Sequence, residues 1–208
     1  RPTGHRRRSR RPLVNPRRRP VGHRRSGPDG ALIPETRSFR QLRDNGRRLG
    51  AWLQSVGVGS GDRVALMLHN HPEFVEAMIA AAHIGAVFVP LDPRSVGDKL
   101  VYMLNFVEAK VLVAGDYAVA AVAEVASELT DTADVLVVGE APAAPGSAPR
   151  LHAYAEAMAM APGPERPPDP NSPMFMMFTS GTTGRPKAAV LTHGQLAFVV
   201  TNHLADLF

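Results

Sequence analysis

A nine-residue run late in the chain contains the residue types that hold phosphate groups. It reads Thr-Ser-Gly-Thr-Thr-Gly-Arg-Pro-Lys and spans residues 179–187. Two glycines three positions apart allow the backbone to turn tightly and to point successive N–H groups toward one place. Four hydroxyl side chains and a lysine add donors and positive charge; they are Thr179, Ser180, Thr182, Thr183 and Lys187. The run therefore predicts a site for a polyphosphate.

The spacing of this run differs from that of the Walker-type phosphate loop. That loop needs G-x-x-x-x-G-K-[ST] before a helix, whereas here the order is G-x-x-G-x-x-K and the apolar residues 188–191 predict a strand. Kinase-like and GTPase-like functions are therefore disfavoured. A flexible Ser/Thr/Gly hairpin is the simpler alternative, but the ordered match over nine positions favours a binding loop.

Apolar strands and amphipathic helices alternate ahead of the run. Continuous apolar segments of strand length, typical of strands covered on both faces, occur at 64–68, 86–89, 111–113, 135–138 and 174–178. Helical spacing predicts helices over 38–56, 72–84, 98–107, 117–129 and 151–160. This alternation predicts an α/β fold with a doubly wound, mostly parallel sheet and flanking helices.

Residues 1–30 differ in composition from the rest of the chain. They carry eleven arginines and five prolines but few apolar residues, so we expect a disordered tail. The tail contributes +10 to a net charge of +5, which leaves residues 31–208 acidic at −5. A nucleic-acid-binding arm is one alternative, but no aromatic residues are interleaved to stack on bases. We therefore favour a solvated extension and expect no nucleic-acid partner.

The chain contains no cysteine. This excludes disulfides, cysteine-ligated zinc, iron–sulfur clusters and thiol catalysis, and it fits a reducing compartment, so we predict a cytoplasmic location. No apolar run reaches the roughly 18 residues that a membrane span requires, and no such span is expected.

The segment FTSGTTGRPKAAVLTH resembles the signature of the AMP-forming adenylating superfamily, which includes acyl-CoA synthetases, firefly-type luciferases and the adenylation domains of peptide synthetases. Upstream, GDRVALMLHNHPEFVEAMIAAAHIGAVFVPLDPR is similar to a stretch of acyl-CoA synthetases. The resemblance covers residues 31–208 and implies a partial N-terminal AMP-binding domain. Its parts would be a first α/β subdomain at 31–138, a proline-rich crossover at 139–173, and at 174–208 the phosphate-loop hairpin and the start of the next helix.

The resemblance also implies a reaction. A carboxylate attacks ATP, pyrophosphate leaves, and the acyl adenylate then forms a thioester with CoA. ATP, Mg²⁺ and CoA are the implied cofactors and co-substrates, and a fatty or carnitine-like acid is the implied substrate. By the same resemblance Lys187 is the catalytic candidate and the Thr179 hydroxyl lies near the metal. The implied phosphate-binding residues are Thr179, Ser180, Gly181, Thr182, Thr183, Gly184 and Lys187.

Two positions depart from the family pattern. Ala188 follows the loop lysine where the family usually has glycine, which costs strain only if that position needs a positive φ. His69 stands where relatives commonly carry proline. His69 and His71 could also pose as metal ligands, but without a third ligand nearby they are more typical of a polar loop. His193 is expected to begin the last helix in a capping or surface role.

Several motifs of the family are missing from the sequence: an acidic ATP-binding motif, a ribose-binding aspartate, and a C-terminal domain with its own catalytic lysine. We therefore expect an N-terminal fragment that completes no turnover by itself.

The last predicted helix carries an apolar stripe that needs a partner surface, formed by Leu196, Val200, Leu204 and Leu207. A catalytically dead homologue that acts only as an interaction module, and an Arg-tail nucleic-acid binder, are the alternatives.

Overall fold

The computed structural model describes residues 21–26, 32–140, 149–179 and 186–207. Two short strands come first and pair antiparallel, β1 (Val21–Ser26) and β2 (Leu32–Arg37). The next seven are β3 (Arg63–Met67), β4 (Val87–Pro90), β5 (Ala109–Gly115), β6 (Asp134–Val138), β7 (Arg150–Ala153), β8 (Pro173–Thr179) and β9 (Lys187–Thr192). They form one sheet in the order β7-β6-β5-β3-β4-β8-β9.

Every neighbouring pair in this sheet is parallel except β8 and β9, which pair antiparallel. Six helices accompany the strands in the described residues: α1 (Phe39–Ser55), α2 (Pro72–Ile84), α3 (Gly97–Phe106), α4 (Val119–Glu124), α5 (Tyr154–Ala159) and α6 (His193–Leu207). The predicted α/β class, with a mostly parallel sheet and flanking helices, is confirmed. Within the described residues, no helix combines the length and apolarity needed to cross a membrane.

Alternate residues of the central strand point to opposite faces, and each face has its own core. On one side, Val64 and Leu66 of β3 pack with residues of α1, α2 and α5. On the other side, Ala65 and Met67 pack with residues of α3 and α4. Because both faces of β3 are buried, the strand is continuously apolar from Val64 to Met67 and shows no polar alternation there.

A side-chain cap before α1 and a glycine after it agree with the bounds of this helix. The Ser38 hydroxyl accepts from the Gln41 backbone N–H at 3.2 Å, and the Gln41 side chain accepts from the Ser38 N–H at 2.8 Å. This reciprocal cap satisfies donors that the first helical turn leaves without partners. Gly57 follows the helix with φ +91°, a conformation that favours glycine and lets the chain turn toward β3.

Two helix predictions need correction. The stretch 117–129 is one helix in the prediction, but α4 covers only Val119–Glu124 and short 3₁₀ turns flank it. The stretch 151–160 was predicted as helical, but it begins within β7, which pairs with β6 at the sheet edge, and only then becomes α5. Arg150 and His152 of β7 both bond the Asp134 carboxylate in β6, a cross-strand attraction that local spacing does not reveal.

The structure also places a strand inside the segment expected to be disordered. Val21–Ser26 pairs along its whole length with Leu32–Arg37. Composition alone missed this strand because its backbone partners belong to the next segment of the chain. The rest of the predicted tail, residues 1–20 and 27–30, lies outside the described residues.

A buried carboxylate joins three of the helices. Glu76 of α2 is fully buried and accepts from the Asn45 side chain of α1 at 2.8 Å and from the Tyr154 hydroxyl of α5 at 2.5 Å. The Arg37 Nε atom lies 3.5 Å from Glu76 Oε1. Burial raises the pKa of the Glu76 carboxyl, although the bonds from Tyr154 and Asn45 act in the opposite direction. This network attaches the crossover helix α5 to α1 and α2.

Replacing Glu76 with glutamine should change how stability depends on pH. Because the native pKa is raised, the folded protein keeps this proton at pH values where the unfolded chain has lost it. The free energy of unfolding should therefore fall as pH rises from the ordinary glutamate range through the native pKa, and E76Q should lack this component. Urea unfolding between roughly pH 4 and 8 measures it. Asp44→Asn is the control, because it changes a half-buried carboxylate of α1 that, within the described part of the chain, forms an ion pair only with the neighbouring Arg43. Equal pH slopes for E76Q and the wild type would contradict the assignment.

Candidate functional site

The β8–β9 hairpin brings the two ends of the predicted phosphate loop together. Thr179, the last residue of β8, pairs with Lys187, the first residue of β9. The Thr179 hydroxyl donates to the Lys187 carbonyl oxygen at 3.4 Å, and both residues are exposed. The other predicted phosphate ligands lie outside the described residues: Ser180, Gly181, Thr182, Thr183 and Gly184.

The hairpin opens at the edge of the sheet where ligands of α/β proteins bind. Strand β8 runs parallel to β4, so the carboxyl ends of both strands lie on the same side. In parallel sheets this is the edge outside which ligands are held. At one base of the loop, the Tyr102 hydroxyl of α3 donates to the Pro186 carbonyl oxygen at 3.1 Å. Helix α3 is thereby joined to the segment that presents Lys187.

A pocket of about 270 Å³ lies between these elements. Its walls combine the end of β4, the start of α3 and the base of the hairpin. The lining residues are Pro90, Leu91, Asp92, Ser95, Lys99, Met103, Phe178, Thr179 and Pro186. The pocket was not predicted from the sequence, because it is formed by segments about 90 positions apart that only the β4–β8 pairing brings together.

The charges beside this pocket are partly paired. The Arg94 guanidinium donates to both Asp92 oxygens, at 3.0 Å and 2.9 Å. Hydrogen bonds from the Arg94 side chain and backbone lower the pKa of Asp92 to about 2, so this carboxylate stays ionised at neutral pH. Because Arg94 already balances the Asp92 charge, the ammonium of Lys99 leaves the pocket wall positive. Such a wall suits an anionic group.

Ser95 is a polar residue of this pocket that was not predicted from the sequence. It is 3% exposed, and its hydroxyl has no hydrogen-bond partner among the described residues. Helix α3 follows at once, and its N-cap residue Val96 makes no side-chain capping bond. A buried hydroxyl without a partner is uncommon and calls for an explanation. Ser95 lines the pocket, although its hydroxyl oxygen is itself buried.

The backbone shows that Ala188 is unstrained and which residue caps α6. Ala188 is paired with Phe178 within the hairpin, and Glu108 is the only non-glycine residue in the described part of the chain with a positive φ. The alanine that replaces the usual glycine is therefore unstrained. His193 does begin α6, but Thr192 provides the cap, since its hydroxyl accepts from the Gln195 N–H at 3.2 Å. Burial lowers the pKa of the His193 imidazole.

The described residues offer few candidate ligands for a metal ion. Across the described ranges, no group of three or more histidine, cysteine, aspartate or glutamate residues is placed to hold a metal ion. Among those residues, His69 and His71 have no third ligand of the kind that a protein-built site requires. The exposed Thr179 hydroxyl fits a different kind of site, in which Mg²⁺ is held mainly by substrate phosphates and water.

The chain belongs to the AMP-binding enzyme family, whose sequence profile matches residues 24–207. The superfamily predicted from the loop is thus confirmed. The chain is 37% identical over 157 residues to the medium/long-chain-fatty-acid–CoA ligase of Mycobacterium tuberculosis, covering 75% of this chain and 25% of that protein. It is 31% identical over 166 residues to surfactin synthase subunit 3 of Bacillus subtilis, covering 80% and 12%.

Solved structures share the fold. The anthranilate CoA ligase AuaEII in complex with anthranoyl-AMP matches with a TM-score of 0.69 at 22% identity, covering 76% of this chain and 30% of that chain. The chain thus spans about a quarter to a third of the length of the acyl-CoA ligases that it matches, 25% of the mycobacterial enzyme and 30% of AuaEII.

Removing the Tyr102 hydroxyl should loosen the base of the loop without unfolding the protein. Tyr102→Phe deletes one hydrogen bond to Pro186, worth about 1 kcal/mol, so amide exchange at Lys187 and Ala188 should become about five-fold faster. Hydrogen exchange followed by NMR measures this. Tyr117→Phe makes the same chemical change at the end of β5 and serves as the control. Equal exchange rates in both variants would show that the Tyr102 bond does not restrain the loop.

Proposed function

We propose that this chain provides the phosphate-binding part of an AMP-forming acid–thiol ligase. The observation that carries the proposal is the pairing of Thr179 with Lys187 at the carboxyl edge of the sheet. This pairing places the two ends of a Ser/Thr/Gly loop and a lysine beside a pocket with a positive wall. Membership of the AMP-binding enzyme family supports the same chemistry.

The proposed reaction has two steps. A carboxylate oxygen attacks the α-phosphorus of ATP, the bond to the bridging oxygen breaks, and pyrophosphate leaves with that electron pair. The thiol of CoA then attacks the acyl carbonyl, and AMP leaves as the thioester forms. A fatty-acid type of substrate is supported by the similarity to the mycobacterial fatty-acid–CoA ligase.

Negative charge develops on the departing pyrophosphate in the first step. The Lys187 ammonium, at the first position of β9, is the described side chain best placed to stabilise that charge. The N–H groups of Gly181 and Gly184 and the hydroxyls of Ser180, Thr182 and Thr183 are proposed to do the same. Fixed donors of this kind act on charge that appears in the transition state, so they accelerate the step.

Magnesium is proposed to enter with the nucleotide. Its chemistry is to neutralise phosphate charge, and Thr179 is the protein oxygen proposed to lie near it. The hydroxyl of Thr179 is exposed at the end of β8 and bonds only weakly, at 3.4 Å, to the Lys187 carbonyl oxygen. It can therefore turn toward an arriving metal at small cost.

Substitution of Lys187 should weaken phosphate binding directly. Lys187→Ala is expected to reduce the affinity of this chain for magnesium pyrophosphate by about ten-fold or more, because a charge-assisted contact is lost. Isothermal titration at fixed ionic strength measures the affinity. Lys110→Ala is the matched control, since Lys110 is also exposed but lies near the opposite, amino-terminal end of β5 and pairs with Asp62 at 2.8 Å.

The arginine-rich residues 1–30 are the same in both variants, so any nonspecific attraction of pyrophosphate to them cancels from the comparison. Equal affinities for the two variants would remove Lys187 from the site. Because the chain spans 25% of the length of the mycobacterial ligase, we expect the 208 residues alone to bind phosphate without forming an acyl adenylate. Formation of an acyl adenylate by the 208 residues alone would contradict this expectation.

A further inference from the structure

The half of the β8–β9 hairpin that carries the phosphate loop extends beyond the neighbouring strand β4. Strands β8 and β4 pair at one position, Phe175 with Phe88. β4 ends two residues later at Pro90, which has no N–H to donate, whereas β8 continues for four residues beyond Phe175 to Thr179. Strand β9 is the last strand of the described sheet. Within that sheet, the outer end of β8 is therefore paired with β9 alone.

Helix α3 contacts this outer end of the hairpin at two points. The Phe106 ring centroid lies 6.1 Å from that of Phe178, with an interplanar angle of 52°. The Tyr102 hydroxyl donates to the Pro186 carbonyl oxygen at 3.1 Å. Phe178 directly precedes the phosphate loop, and Pro186 is the second-last residue of the loop. Helix α3 therefore contacts both ends of the loop.

The side chains of Tyr102 and Phe106, which we name the aromatic brace, form one unit. They are four positions apart in α3, which places them on the same face of the helix. Their ring centroids are 5.4 Å apart with an interplanar angle of 30°, a stacked arrangement. Because the two rings contact each other, a displacement of one ring disturbs the other and with it the opposite end of the loop.

The bond from Tyr102 also restrains the lysine of the loop. The Pro186 carbonyl and the Lys187 N–H belong to one planar peptide group, so holding the carbonyl oxygen orients the backbone from which the lysine side chain leaves. The lining of the neighbouring pocket includes neither Tyr102 nor Phe106. An effect of the aromatic brace on a bound phosphate therefore has to pass through the loop.

Phe106 contributes little to the core of the protein. It is 53% exposed and belongs to neither core cluster of the described residues, whereas Phe178 packs against the core that includes α3 and α4. An aromatic ring that stays half in solvent gains only part of the stabilisation that full burial supplies. Removing this ring should therefore alter the position of the hairpin more than the stability of the fold.

We propose that Tyr102 and Phe106 are positioning residues that hold both ends of the phosphate loop and thereby orient Lys187 toward phosphate. This rests on the proposed function, because the phosphate at Lys187 is itself part of that proposal. Without the aromatic brace, the loop adopts more orientations. The binding-competent orientation is then less populated, which lowers the apparent affinity for phosphate.

The first test measures the affinity of the full chain for magnesium pyrophosphate by isothermal titration. Phe106→Ala should weaken binding about five-fold because it removes one aromatic contact, and Phe106→Tyr, which keeps the ring, should stay within about two-fold of the wild type. Phe39→Ala is the matched control, since Phe39 begins α1 and is 54% exposed. Urea unfolding is measured on each variant. Weaker binding by Phe106→Ala at the unfolding free energy of Phe39→Ala is a result that a merely structural role does not produce.

The second test asks whether the aromatic brace acts through the lysine. When Lys187 is already alanine, Phe106→Ala should cause no further loss of pyrophosphate affinity, because residues that act through one contact are not additive. An equal loss in both backgrounds would overturn the proposal. So would an affinity of Phe106→Ala that matches that of Phe39→Ala.

Hydrogen exchange tests the aromatic brace without any ligand. Tyr102→Phe and Phe106→Ala should each accelerate amide exchange at Thr179 and Lys187 several-fold, and Phe39→Ala should leave it unchanged. Unchanged exchange in both brace variants would overturn the proposal, even if Lys187→Ala weakens pyrophosphate binding and the proposed function stands.

The proposed function fails separately. Equal pyrophosphate affinities of Lys187→Ala and Lys110→Ala would refute it, and with it the effect of the aromatic brace on phosphate. The exchange rates would then decide alone whether Tyr102 and Phe106 restrain the loop.

Discussion

Parallel pairing from β7 through β8 forces the carboxyl ends of six strands to one edge of the sheet. Parallel neighbours cannot be joined by tight turns, so the connections from β3 through β6 carry helices that cross the faces of the sheet. These helices cover both faces, and the resulting burial explains why β3 is apolar from Val64 onward and β6 from Val135 onward. Polar and glycine-rich segments are thereby left at the strand ends, where side chains from distant parts of the sequence meet.

Because β9 is antiparallel to β8, it begins at the same carboxyl edge of the sheet at which β8 ends. Because β9 returns beside β8, the segment between Thr179 and Lys187 leaves and re-enters the sheet at the same place. Lys187 is the first residue after the turn, and Pro186 is bonded from α3. Both ends of the loop thus lie next to the β4–α3 connection, and Ser95 of that connection and Lys99 of α3 line the same pocket. Of the predicted apolar stripe of α6, Val200 and Leu204 are 48% and 51% exposed, whereas Leu196 is half-buried and the side chain of Leu207 lies outside the described part of the chain.

The sequence predicted the elements whose residues are locally diagnostic. Strands covered on both faces show as apolar runs, and β6 at Asp134–Val138 was placed within one residue by the run 135–138. The four-residue edge strand β7 was missed, because its stability comes from pairing with β6 and from the bonds of Arg150 and His152 to Asp134. The same limit applies to Glu76, which looks like a surface glutamate in α2 until α1 and α5 bury it.

For the candidate sites, the sequence marked the phosphate loop because that loop is contiguous. The 270 Å³ pocket was not predicted, since it depends on strand neighbours that are far apart in sequence. His69 was noticed as a candidate ligand, but only the β3–β5 pairing shows that its partner is Tyr117. A site formed by one continuous segment can be predicted from the sequence. A site formed by residues of several strands can be predicted only when the strand order is known.

We propose that phosphate is bound at the carboxyl edge of the sheet by the β8–β9 hairpin. The most direct test is a residue-resolved ¹H–¹⁵N map of the chain as magnesium pyrophosphate is added, repeated at two ionic strengths. Salt-resistant shifts centred on Thr179 and Lys187 are expected, with smaller ones at Ser95 and Lys99. Shifts confined to the arginines of residues 1–30 and abolished by salt would contradict it, because they would show only nonspecific attraction to a basic segment.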